Sequence, residues 1–506
     1  MLSKTKCISP WGITPVEIEI EVNISKKGFP GFTVVGLPGK TAEETKERVK
    51  TALQNSGIEF PEAKITVNLA PADTPKDGAG FDLPIAIGIM AAAGELTIDE
   101  SSYYLGELGL DGRLRPGKGV FLLALAAKER GIKQIFIPSE CSAEAVVVSG
   151  VVIYPVINLR QLIGFLRGKT VIEVAKKEEE AEGWFDEPEF NFSEISGQEQ
   201  AKRALEIAAA GGHNLILSGP PGSGKTMMAR ALSGILPQLS DNESMEVTKI
   251  YSVSGNIPPG ASLVHQRPFR NPHHTTSTVG LIGGGSVPHP GEVSLAHRGV
   301  LFLDEFPEFN RSCLEALRQP LEDGVVTISR AAGTLKFPAQ FMLVAAANPC
   351  PCGYRGDPKR ECRCTSWQIE KYQKKISGPI LDRIDMHVAV PAVDITKIVD
   401  HQNKGDTSET VRKRVEKARI TQRKRFFKLK KIECNADMKN KEVETLAQVT
   451  PEATLVLKQA VLKFGLSART YFRLIKVART IADLEDSITV TQLHMAQALQ
   501  FRIKSE

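Results

Sequence analysis

The chain has 506 residues, of which 42% are hydrophobic and 24% charged, with a net charge of +5. That length allows roughly two to four domains with cores of their own and excludes a small scaffold stapled by disulfides. The polarity excludes a chain threaded through a bilayer, and the modest positive charge permits a polyanionic partner without requiring one.

No run of apolar residues reaches the roughly 20 that a spanning helix needs. The N-terminus begins Met1-Leu2-Ser3-Lys4-Thr5-Lys6 and meets Pro10 and Gly12 before any apolar stretch forms, so no export signal is visible and the cytoplasm is expected. Residues 1–170 then alternate β-rich runs (Val16 to Ile24, Phe32 to Val35, Ile65 to Leu69, Gln134 to Ile137) with helical patterns (Thr41 to Ser56, Leu83 to Ala93, Val120 to Arg130). This order predicts an α+β domain. Between Lys176 and Phe190 there are seven acids around Gly183 and Pro188, too little to bury, so 171–192 reads as a solvated linker. From 193 to 393 a helix (Gln198 to Ala210) leads into the apolar strand Asn214 to Leu217, and buried-type strands recur at Val300 to Leu303 and Phe341 to Ala346. That alternation predicts an α/β fold with a doubly wound parallel sheet. Helical periodicity dominates 394–506, for example Ala453 to Phe464, Tyr471 to Leu484 and Thr491 to Ile503, which predicts a separate helical lid.

Between the strand and helix of the central region lies Gly219-Pro220-Pro221-Gly222-Ser223-Gly224-Lys225-Thr226. It fits G-x-x-x-x-G-K-[ST] at every fixed position, in the strand–loop–helix context that the mechanism needs. Glycines let the backbone curl so that successive N–H groups face a phosphate, and the following helix aims its positive end at the same charge. ATP is therefore the expected ligand, with Lys225 reaching its terminal phosphates and the Thr226 hydroxyl ligating Mg²⁺. Downstream, Val300-Leu301-Phe302-Leu303-Asp304-Glu305 is an apolar strand ending in two acids. Asp304 is placed to hold the metal, and Glu305 to polarise the water that attacks the γ-phosphate.

Together with four further segments, these motifs resemble the AAA+ superfamily and, within it, the magnesium-chelatase-like branch that includes the ComM or YifB family of competence proteins. Ile195 to Ala204 is similar to the segment near the nucleotide base. Val344-Ala345-Ala346-Ala347-Asn348-Pro349 resembles sensor 1, Pro379 to Asp385 the arginine-finger segment, and Leu466-Ser467-Ala468-Arg469 the start of the sensor 2 helix. The resemblance implies that Asn348 orients the attacking water and that Arg383 completes a neighbour's site in a head-to-tail ring of six subunits, a homo-oligomer. Arg469 serves the same nucleotide or the adjacent one. Residues 75–140 resemble the proteolytic domain of Lon proteases (an S5-domain-2-like fold): Pro75-Lys76-Asp77-Gly78, Leu105-Gly106-Glu107-Leu108 and Ala126 to Lys133. The required dyad is missing, because Ala79-Gly80-Phe81-Asp82 has no serine and the lysine positions fall on Phe121, Leu122 and Leu123. A fold relative without peptidase activity is implied.

Three stretches have the chemistry to touch a polymer. The long polar insert holding Arg267-Pro268-Phe269-Arg270-Asn271-Pro272-His273-His274-Thr275-Thr276 and Gly283-Gly284-Gly285 resembles the insertion of the chelatase branch that projects toward the ring pore. Its Arg, His and Phe content suits phosphate contact and base stacking, or a subunit-contact loop. Val325 to Lys336 reads as a hairpin carrying Arg330 and Lys336. From Val411 to Lys431 there are eleven Lys or Arg residues and one Glu, a basic surface or the solvated face of lid helices. Finally, Cys350, Cys352, Cys362 and Cys364 satisfy the ligand count of a closed Zn²⁺ site, although C-x-C is tighter than the usual zinc ribbon and reduced structural thiols fit as well.

The combined expectation is an ATP-hydrolysing hexameric motor acting on single-stranded or branched DNA, as the family resemblance implies for branch migration in recombination or natural transformation. The alternative is a chelatase-type ATPase that remodels a protein partner. No membrane association is expected.

Overall fold

A computed structural model describes residues 1–502 except 73, 75, 77–79, 177–188, 259, 286, 331–332, 358–359, 393–404 and 430–431. Most of the acidic stretch and the Asp77-Gly78 segment therefore lie outside the described residues.

The N-terminal region is built on a seven-stranded mixed sheet. Leu2–Trp11 and Thr14–Ser25 form a long antiparallel hairpin at its centre. Lys64–Ala70 and Gly31–Val35 extend one side; Ser102–Tyr104, Gln134–Pro138 and Val152–Val156 extend the other in parallel. The first strand carries no apolar alternation in its sequence, because its inward face is Thr5, Cys7 and Ser9, all small groups. They suit the close approach of the helix Asp82–Ala92, whose Pro84 and Gly88 carbonyls accept from Thr5 (3.0 Å) and Ser3 (2.7 Å) hydroxyls. Pro84 sits in the first turn of that helix, where its missing N–H leaves nothing unsatisfied. At Gly88 a Cβ would come 2.7 Å from Val22.

The central region carries a five-stranded sheet, parallel throughout, in the order Phe269–Arg270, Val300–Leu303, Met342–Ala347, Leu215–Ser218, Met386–Ala389. One face of it shares a hydrophobic core with helix Glu199–Gly211 and with the C-terminal helices Ser408–Phe426, Pro451–Phe464, Ala468–Leu484 and Gln492–Gln500. The architecture is thus mixed α/β with a parallel-sheet core and a C-terminal helical region. The N-terminal sheet has a separate core, to which Val253 is the buried contribution from beyond residue 172. The two regions touch along helix Asp241–Ser254, where Gly119 N–H donates to the Ser252 carbonyl (3.0 Å). No helix among the described residues is long and apolar enough to cross a membrane.

Candidate active site

The loop Gly219 to Thr226 runs from the carboxyl end of strand Leu215–Ser218 into helix Lys225–Ala231. Gly219 is there because nothing larger fits: a Cβ would lie 2.0 Å from the Val390 carbonyl oxygen. Gly222 and Gly224 take the left-handed backbone (φ 75° and 86°) that turns the chain through the loop. Pro220 and Pro221 stiffen the approach, and Ser223 is buried. The Lys225 ammonium crosses the loop, donating to the Gly219 (2.8 Å) and Pro220 (2.9 Å) carbonyls, and lies 3.3 Å from Asn348 Oδ1. Burial pulls its pKa below the ordinary lysine value, with Asp304 partly offsetting the effect.

The same edge of the sheet gathers the other candidates. Thr226 Oγ1 donates to Asp304 Oδ2 at 2.7 Å, a pair of hard oxygen donors of the kind magnesium takes. Glu305, the next residue, has φ 50°, a left-handed conformation unusual for a non-glycine residue. Its own N–H donates to Asp304 Oδ1 at 2.9 Å. Asn348 caps the neighbouring strand, whose Ala347 carbonyl accepts from Gly219 N–H at 3.2 Å. Lys225, Thr226, Asp304, Glu305 and Asn348, spread over more than a hundred residues of sequence, therefore surround one loop.

Arg383 and Arg469 meet elsewhere, on Glu322. Arg383 is buried, donates to the Pro379 carbonyl at 2.8 Å and pairs with Glu322. Arg469 is 60% exposed, with its guanidinium 3.9 Å from the other oxygen of Glu322. The helix bearing Arg469 is tied to the Arg383 segment by Arg473, which bonds Asp385 at 2.7 Å. Burial would raise the Asp385 pKa, but Arg473 and His213 together hold it well below the usual carboxylate range.

Several residues read as polymer contacts are occupied internally. Arg267 is largely covered and bonds Glu243; Arg270 makes a two-pronged pair with Glu292 (2.7 and 2.8 Å); Phe269 lies in the edge strand, its ring 5.9 Å from that of Phe302. Pairing with residues that only the fold brings close, which composition does not reveal, is the reason. Within the basic stretch, Arg412, Arg419 and Arg425 turn inward to the Gly234 carbonyl, the Ala209 carbonyl and Asp483, and Arg414, though exposed, is paired with Glu206. Arg423, Lys424 and Lys428 stay exposed. The hairpin Val325–Arg330/Gly333–Pro338 is present, with Arg330 and Lys336 exposed. It abuts the glycines of the insert: a Cβ on Gly283 would meet Ile328 at 3.1 Å, and one on Gly284 the Arg330 guanidinium at 3.5 Å. His274 of the insert also joins the site, 3.1 Å from Glu305; with some thirty residues between the two, nothing in the sequence marks the contact.

The four clustered cysteines come together. Their sulfurs lie within 4.8 Å of one another, with Cys350 to Cys352 at 3.4 Å, Cys350 to Cys362 at 3.7 Å and Cys352 to Cys362 at 3.6 Å. None of the eight cysteines forms a disulfide.

Comparison with known proteins matches three family models along the chain: magnesium chelatase, subunit ChlI, over residues 191–398; subunit ChlI of Mg-chelatase over 20–141; and the subunit ChlI C-terminal family over 405–502. The competence protein ComM of Haemophilus influenzae is 43% identical over 499 residues, 97% of this chain and 95% of the relative. The uncharacterised protein YifB of Escherichia coli is 42% identical over 494 residues, with the same coverage of 97% and 95%. The magnesium-chelatase 38 kDa subunit of Rhodobacter capsulatus is 28% identical over 195 residues, 35% of this chain and 55% of that one.

Proposed function

Because the chain belongs to the magnesium-chelatase-like AAA+ ATPases of the ComM and YifB family, we propose that it is a hexameric, ATP-hydrolysing ring motor that moves DNA strands, as a branch-migration helicase in recombination or natural transformation. An ATP-driven motor role comes with the family. The DNA substrate, the hexamer, the cytoplasmic setting and the residue roles are our reading.

The single observation that carries it is the convergence of Lys225, Thr226, Asp304, Glu305 and Asn348 on one loop. In this reading Gly219 to Thr226 wrap the phosphates and Lys225 neutralises their charge. Bound Mg²⁺ would neutralise phosphate charge beside Thr226 and Asp304. Glu305 takes a proton from the attacking water, His274 holds that carboxylate in place, and Asn348 fixes the water's position. Arg383 and Arg469 both address a neighbouring protomer's nucleotide; their shared partner Glu322 supports a common direction for the two. The N-terminal region (1–170), related in fold to the Lon proteolytic domain, has no peptidase role, with Phe121, Leu122 and Leu123 buried; the ATPase core spans 193–393 and the lid 394–506. DNA is engaged by the exposed Arg330 and Lys336 of the hairpin beside the insert, and the exposed part of the 411–431 stretch adds a smaller electrostatic contribution than its composition alone implies.

The test is ATP turnover with and without single-stranded and branched DNA, at two salt concentrations, with Lys225→Ala as control. Stimulation of about tenfold or more that weakens with salt, and is lost in Arg330→Ala/Lys336→Ala, is expected. Turnover indifferent to DNA, with no salt-sensitive binding, would shift the reading to remodelling of a protein partner.

A further inference from the structure

We propose that Cys350, Cys352, Cys362 and Cys364 bind one zinc ion, and that this ion clasps the segment carrying Asn348 onto the phosphate loop. The metal half of the inference stands by itself; the clasp rests on the ATPase reading above.

The geometry of the sulfurs is that of a mononuclear tetrahedral site. Zinc–thiolate bonds of about 2.3 Å set tetrahedral edges of about 3.8 Å, against the 3.4, 3.6 and 3.7 Å found among Cys350, Cys352 and Cys362. Cys364 closes the set within 4.8 Å. Such spacing is too tight for the wide cage of a multi-iron cluster, and soft sulfur donors in a reducing setting favour zinc over the hard cations. Binding converts four thiols to thiolates and releases four protons to solvent. With every position taken by protein, the site has no place for substrate and is structural.

Its location makes it more than a staple. Cys350 follows Asn348 by two residues, and Gly353, just past Cys352, lies flat on the phosphate loop: a Cβ there would meet Pro221 Cδ at 2.5 Å. From Cys364 the chain enters helix Ser366–Gln373 through the Thr365 cap, and the buried Tyr372 of this helix lies beside the backbone of Asn348. Between Cys352 and Cys362 the described residues form turns without helix or strand and bury little, so apolar packing cannot fix the lobe. An ion joining the two C-x-C pairs would fix it, and with it the position of Asn348 opposite Lys225 (3.3 Å).

Full-length protein purified without chelator should carry about one zinc per chain by elemental mass spectrometry, and exchange into cobalt should give the intense visible bands of tetrahedral four-thiolate cobalt. The Cys352→Ser/Cys362→Ser variant should hold less than about a tenth of an equivalent and lose about tenfold in ATP turnover. Stripping zinc from the wild-type chain with a mercurial and restoring it should reverse the same loss, which keeps the clasp testable if the variant misfolds. Lys225→Ala should lose turnover and keep its zinc, so failure of the ATPase reading and failure of the metal site register separately. Wild-type protein with less than about a tenth of an equivalent of zinc and no cobalt bands would overturn the metal site; full zinc with turnover unchanged on removal would overturn the clasp.

Discussion

The N-terminal sheet and the central sheet are both covered by helices, yet they treat charge in opposite ways. In the first, the one fully buried carboxylate described, Asp82, is answered at once by Arg48 (2.8 and 3.2 Å) and by the Leu108 N–H (3.3 Å). Helix Val120–Glu129 fills its inner face with Phe121, Leu122 and Leu123. In the second, Lys225, Asp304, Glu305 and Asn348 stand together at the carboxyl ends of parallel strands, where crossover connections leave a crevice. Internal pairing makes a scaffold; charge kept facing a crevice makes a site. The first sheet has seven strands and the second five, but it is the direction in which the ionic groups point that separates a scaffold from a site.

The comparison breaks first at Glu305. Glu305→Gln keeps the shape and the φ of 50° while removing the base, so ATP turnover should fall by about a thousandfold. ATP affinity, read by titration with a fluorescent analogue, should stay within about threefold. Turnover near wild type would mean that another group activates the water, His274 being the nearest candidate.

A substitution in the N-terminal sheet should do the reverse. Arg48→Met strands the Asp82 carboxylate and should destabilise that region by about 3 kcal/mol in denaturant unfolding, with turnover per folded molecule unchanged. Acid should soften the penalty. Burial outweighs Arg48 and raises the Asp82 pKa from 3.8 to about 6, so its folded value lies above the unfolded one. The carboxyl then favours folding while protonated, and this contribution is lost as pH rises through about 6. Without Arg48 the folded pKa climbs further, so the gap between variant and wild type should narrow steadily from pH 8 to pH 5; a gap that widens in acid would show that Asp82 is not the stranded group.

The two regions were also unequally legible. The strand Val16 to Ile24 announces itself by apolar alternation, the strand Val300 to Leu303 and the helix Leu83 to Ala93 by their apolar runs, and the phosphate loop by its glycine–lysine spacing. The first strand, Leu2–Trp11, was silent because its buried side is Thr5, Cys7 and Ser9. The ionic stretches misled in the other direction. Arg267 and Arg270 in the insert and four arginines of 411–431 look available in sequence, but each finds a partner far along the chain, such as Glu206 for Arg414, that only the fold supplies. The pairing of His274 with Glu305 and the seat of Gly353 on Pro221 are of the same kind, being contacts between loops with no periodicity to predict them.

The smallest effect tests whether the contrast holds within a single motif. In Leu466-Ser467-Ala468-Arg469 the serine is a helix cap: its side chain accepts from the Thr470 N–H at 3.3 Å and starts helix Ala468–Leu484. Arg469, two residues on, is mostly exposed and held only loosely toward Glu322. Ser467→Ala should therefore cost about 1 kcal/mol of stability, and Ser467→Gly only a few tenths, with ATP turnover within about twofold in both. Arg469→Ala should leave stability within about 0.5 kcal/mol, as surface substitutions do, and lower turnover only once protomers assemble, read as a rate that fails to rise with protein concentration. If Ser467→Ala instead matched Arg469→Ala in turnover at unchanged stability, the serine would belong to the nucleotide site, and the division between groups paired inward and groups held outward would fail at that motif.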